Sequence, residues 1–160
     1  MVKLIALLPK TTYFYLNLWT WGYEDVLIAI SKAFQCQVCT FVFMIHITQC
    51  LQIHVDTYKY DIFQSLQDKL LRDITTTDTI TRFHCCERFA RCAYVDVKQS
   101  SRRDHSNTIS EMGKHVVYVN PVSMEGSKWS EYLSEMEVRI RAKERISHLV
   151  IYRIVSNVEY

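Results

Sequence analysis

The chain has 160 residues, 49% of them apolar, and a net charge of +2. That is enough apolar material for the core of one domain, and too little charge to argue for or against a nucleic-acid partner. No apolar run reaches the roughly 18 residues of a membrane-spanning helix, so a spanning protein is excluded as the reading.

Met1 to Leu8 is a short apolar run with one lysine. It reads as the end of a helix leading into the first strand rather than as a secretory leader. Without such a leader, six cysteines imply reduced thiols in a soluble intracellular chain, not a disulfide framework. Thr12 to Asn17 is aromatic and β-prone and predicts a strand. Gly22 falls at the following turn, and Val26, Leu27, Ile30 and Phe34 then recur at helical spacing, predicting a helix from about Glu24 to Cys36. Glu24 and Asp25 place negative charge in its first turn.

Val38 to Gln52 contains no charged residue, glycine or proline, and periodicity does not separate a buried strand from a helix there. Ile53-His54-Val55 reads as a short buried strand, and Asp56-Thr57 as the cap of a helix burying Ile62, Phe63, Leu66, Leu70 and Leu71. Thr75 to Asp78 reads as a loop or cap, Ile80 to Cys85 as a strand, and Cys92 to Val97 as a short β-prone run or a turn of helix. Lys98 to Asn107 is polar and aperiodic, a loop. His115 to Val119 predicts a strand stopped by Asn120-Pro121. Ser127 or Ser130 would cap a last helix with Trp129, Leu133, Met136, Val138 and Ile140 as its apolar positions and a basic end from Arg139 to Arg145. Alternating strands and helices predict an α/β fold: a parallel-type sheet flanked by helices on both faces.

Several of these segments together carry a resemblance. They are Gly22-Tyr23-Glu24, Gln52 to Asp56 with Tyr60 to Phe63, Thr81 to Cys85, and His115 to Pro121 with Met124. In this order they resemble the β-CASP region of the DNA cross-link repair nucleases, which have a metallo-β-lactamase fold. The similarity covers about residues 10 to 149, so the chain resembles a partial chain with an incomplete domain, residues 1–149. Deleting Val38 to Gln52 restores the helix-to-strand join of that family. Val38-Cys39 can be encoded by GTATGT and Gln52 by CAG, so 38–52 is expected to be a translated intron. Residues 150–160 are expected to be an unrelated tail. The resemblance implies a nuclear role in interstrand cross-link and double-strand-break repair, with damaged DNA as partner and zinc or a similar divalent metal as cofactor of the full-length protein. This piece would be a lid on the DNA cleft, would lack the metallo-β-lactamase lobe, and would cut nothing alone. The alternative is a non-catalytic α/β interaction module.

A catalytic metal site of that family uses a His-x-His-x-Asp-His run, and none of His46, His54, His84, His105, His115 and His148 forms one. No catalytic, cofactor-binding or metal residue is therefore assigned. Cys36 and Cys39 have CxxC spacing but no second pair. His84, Cys85, Cys86 and Cys92 invite a metal reading, yet adjacent strand residues face opposite ways and buried free cysteines are common. A Cys–His nucleophile pair has no local signature. Arg82, Arg88, Arg91, Lys98, Arg102 and Arg103 are the candidates for DNA contact, interrupted by Glu87, Asp96 and Asp104. Trp19, Trp21 and Trp129 could stack bases, with core packing the expected role.

Overall fold

The computed structural model describes residues 1–35, 52–97 and 108–152. Its centre is β1 (Tyr13–Leu16), the strand expected from the aromatic run, which pairs in parallel with β4 (Phe83–His84) on one side and β5 (Val116–Val122) on the other. Outward from β4 come β2 (Ile53–His54) and β3 (Thr75–Thr76), and outward from β5 comes β6 (His148–Tyr152). The six strands are all parallel in the order β3-β2-β4-β1-β5-β6. The α/β class with a parallel sheet flanked by helices is thus the architecture of the chain.

Strand alternation divides the sheet into two unlike faces. Phe14, Leu16, Ile53, Phe83, Val117, Val119, Leu149 and Ile151 are buried on the first. Against them pack α1 (Val2–Leu7), α2 (Glu24–Gln35), α3 (Thr57–Ser65), α4 (Lys69–Ile74) and α5 (Gly126–Arg141), through side chains such as Ile5, Ile30, Phe63, Ile74 and Met136. Phe83 is held between Phe14 and Phe34, with ring centroids 5.1 and 5.3 Å away. The other face carries Tyr13, Tyr15, Val116 and Tyr118, and their partners are Cys86, Cys92, Val95 and Val97, none of them on a helix. The helix layer expected on the second face is replaced there, among the described residues, by the segment that follows β4.

Local chemistry explains most element ends. Gly22 turns the chain into α2 at φ 81°, a left-handed conformation that a side chain would oppose. The Asp56 side chain accepts the Lys59 N–H at the start of α3. The single helix expected from Thr57 to Leu71 is two, because Leu66 is extended and Asp68 starts α4 by accepting from Leu70 and Leu71 N–H. Thr75–Thr76, expected as a loop or cap, is an edge strand made by pairing with Ile53–His54. Only Phe83–His84 of the run from Ile80 to Cys85 is strand, and Ile80 is 76% exposed. Residues 93–95 form a turn.

Proline does not stop β5, which continues to Val122. The Asn17 N–H donates to the Val119 carbonyl, so odd-numbered residues of β5 turn their peptide groups toward β1. Since β1 ends at Leu16, the N–H that Pro121 lacks would have met no strand carbonyl. At the last helix, Glu125 occupies the N-cap position; Ser127 and Ser130 lie inside it, and Val138 is exposed rather than buried. β6 runs through residues 150–152. Residues 36–51, which include most of the 38–52 segment expected to be an insertion, and 153–160 lie outside the described residues, as do 98–107, expected as a loop.

Candidate metal centre and strand-end crevice

The second face is built by register. His54 of β2 and His84 of β4 are paired neighbours, so their rings meet with centroids 5.2 Å apart. Two residues beyond His84, Cys86 falls on the same face, and the turn at 88–89, closed by the Ala90 N–H on the Glu87 carbonyl, brings Cys92 back to it. His54, Cys86 and Cys92 each offer a donor atom, all within 4.8 Å of one another, and Cys92 Sγ lies 3.2 Å from His84 Nδ1.

The hydrogen bonds fix the protonation of this cluster. His84 Nε2 is 2.8 Å from the Thr81 carbonyl, which only accepts, so Nε2 carries the proton and Nδ1 is free to accept from the Cys92 thiol. Burial drives the His84 pKa down to about 4, keeping the ring neutral at physiological pH. Cys92 is pulled below the usual thiol range, chiefly by a hydrogen bond from Cys86, with backbone N–H groups of Tyr94 and Val95 helping. Cys86 moves the opposite way, because it is the donor to Cys92 and is buried. The pair gives up one proton readily and holds the second. His54 Nδ1 is buried without a hydrogen-bond partner, an expensive position for a polar atom.

Two thiols and two imidazoles are the donor set of a structural zinc site. Around a tetrahedral zinc, bond lengths of about 2.3 Å to sulfur and 2.0–2.1 Å to nitrogen set donors roughly 3.3–3.8 Å apart. His54, Cys86 and Cys92 come close to these separations already, while His84 meets only the Cys92 thiol and would complete the set by turning its ring further toward the other two donors. Adjacent His84 and Cys85 indeed face opposite ways, as expected; the alternating pair His84 and Cys86 is the one that converges, with His54 and Cys92 added by the fold.

Kept free of metal, the cluster makes stability depend on pH. The unfolded chain protonates His84 near 6.5 and the folded chain only near 4, so between those values the unfolded state binds more protons. Stability is then fully present above pH 6.5 and falls as pH drops toward 4, by about 3 kcal/mol for this shift. Urea midpoints in chelator should fall between pH 7 and pH 4.5, and His84→Gln should flatten that slope; an unchanged slope would contradict the assignment.

The Cys86–Cys92 clasp also shapes a second feature. Glu87, Arg88 and Phe89, held between the two cysteines, form one wall of a crevice of about 580 Å³ at the C-terminal ends of β1 and β5. The other walls are Tyr15, Asn17 to Thr20, Asn120 and Pro121, with Asn17 Nδ2 donating to Asn120 Oδ1 at 2.9 Å. Ligands of open α/β sheets bind in such crevices. Its floor includes Lys59, only 3% exposed, whose ammonium donates to the carbonyls of Leu18 (3.2 Å) and Cys85 (3.0 Å) and has Cys85 Sγ at 4.0 Å. Burial raises the Cys85 thiol to about 11 despite that ammonium, so it stays neutral.

The six basic candidates do not act as one stripe. Arg82 is spent at the opposite end of the strands, donating to the Thr12 and Pro9 carbonyls and lying over the Phe14 and Phe83 rings. Arg91 lies over the Tyr15 and Tyr118 rings, 5.0 and 5.4 Å from their centroids. Arg88 reaches the crevice. Lys98, Arg102 and Arg103 lie outside the described residues. Trp19 and Trp21 are exposed instead of core-packed, and Trp129 stacks on Tyr132. Lys59 and His54 carried no local signal; an apolar-His-apolar pattern at two strand ends, Ile53-His54-Val55 and Phe83-His84-Cys85, was the trace available for the histidines. Comparison with known proteins returns no matching family model, no matching curated protein and no matching solved structure.

Proposed function

We propose that this chain is the DNA-holding lid of a repair nuclease of β-CASP type, stapled by one zinc ion on His54, His84, Cys86 and Cys92 and without cutting chemistry of its own. The observation that carries the reading is the strand-end crevice, whose wall Glu87 to Phe89 is clasped at both ends by the thiols of that cluster. It sets a buried cation, an exposed arginine and exposed aromatic rings together, the combination that tracks a nucleic-acid strand. The order of the sequence motifs and the parallel sheet support the family side of the reading. The ion's part is to fix the loop: with thiolate and imidazole donors filling a tetrahedron, no position is left open for a substrate.

The test is fluorescence anisotropy of the full chain, loaded with zinc, on labelled single- and double-stranded DNA. Binding that weakens with salt and is lost with Cys92→Ser, with the labelled strand remaining intact, is expected. Digestion of DNA in a chelator-sensitive way would overturn the lid reading. A folded, zinc-loaded chain that ignores DNA would favour an α/β interaction module instead.

A further inference from the structure

Resting on that reading, we infer that the crevice is a one-nucleotide subsite, with Lys59 and Arg88 on a phosphate and the base between Trp19 and Phe89. Among the described residues every partner of Lys59 is neutral, two carbonyls and one thiol, although the side chain is almost wholly buried. Asp56, the N-cap of the same helix, accepts the Lys59 backbone N–H through Oδ1, and its buried Oδ2 has no hydrogen-bond partner, the ammonium included. A buried cation with no direct ion pair is costly, and an anion in the crevice it lines would supply one.

Trp19 is 78% and Phe89 92% exposed, and both line this same crevice. Large rings left in water beside a cavity are available to stack on a planar ligand. Arg88 lies 5.9 Å from the Phe89 ring centroid, so the wall residue that supplies a ring also supplies a second cation. The Asn17–Asn120 pair adds neutral donors and acceptors at the strand ends. Glu87, the one carboxylate in the lining, is exposed on the wall, and against the two cations Lys59 and Arg88 it leaves the lining with one net positive charge.

The test is an NMR titration of the ¹⁵N-labelled full chain with thymidine 5′-monophosphate, thymidine and inorganic phosphate. The nucleotide should shift amides of Asn17 to Thr20, Lys59 and Arg88 to Phe89, and inorganic phosphate should compete with it. Thymidine should bind about tenfold more weakly or worse, the loss expected for a charge-assisted contact. Lys59→Met, close in volume and neutral, should weaken the nucleotide about tenfold and leave thymidine unchanged. Phe89→Ala, an exposed change that leaves the fold alone, should weaken nucleotide and thymidine alike by roughly five- to a hundredfold while sparing phosphate. Equal binding of nucleotide and thymidine, shifts confined to other surfaces, or a Phe89→Ala chain that binds as wild type would overturn the subsite. DNA bound with no shift in the crevice removes this inference and keeps the lid; nucleotide bound in the crevice by a chain that ignores DNA does the reverse.

Discussion

Zinc added to the metal-free chain should raise its stability by about 4 kcal/mol when free zinc stands roughly a thousandfold above the dissociation constant. For a chain of this size that is a rise of roughly 10 °C in the unfolding midpoint. The reason is that the donors converge only in the folded sheet: His54 and His84 meet through strand register, and Cys92 returns through the turn at 88–89. Binding free energy at such a site is folding free energy. Cys92→Ser removes one thiolate and should abolish nearly all of the rise, while His115→Gln, far from the cluster in the sheet register, should retain it. Calorimetric scans of the three chains with and without zinc check this. A rise of the same size in Cys92→Ser would contradict the ligand set.

Phe83→Ala should destabilise the chain by about 3–5 kcal/mol, a large share of a typical domain's total. Phe83 is wholly buried at the middle of the sheet, stacked between Phe14 and Phe34, so its removal leaves a cavity that three elements line. Phe89→Ala, the same substitution six residues on, should cost less than about 0.5 kcal/mol because that ring stands in solvent. Urea unfolding of the pair measures the contrast. A small effect at Phe83 would mean that β4 is not the inner strand that the pairing makes it.

The sequence showed those parts of the fold whose causes are local. Tyr13 to Leu16 is strand because aromatic residues fit a pleated surface, and the Asp56 carboxylate sits where α3 needs an acceptor. Parts with distant causes were illegible. Thr75–Thr76 is polar and short and becomes a strand only because Ile53–His54 lies beside it. Pro121 stays within β5 because β1 ends before it on the side where its N–H is missing. The candidate site follows the same rule. His84-x-Cys86 share a face by alternation, which one segment reveals; His54 joins them from thirty residues upstream through a sheet order that is not sequential. Lys59 reads as an ordinary helix lysine until the ends of β1 and β4 bring carbonyls over its ammonium.

Cobalt titration reads the staple itself, because Co²⁺ takes the place of zinc and reports its ligands by absorption. One equivalent should give the intense visible bands of a tetrahedral ion together with thiolate-to-cobalt charge transfer, and zinc should displace it. Weak bands of a six-coordinate ion, or a spectrum that Cys86→Ser and Cys92→Ser leave unchanged, would contradict a metal staple behind the crevice wall.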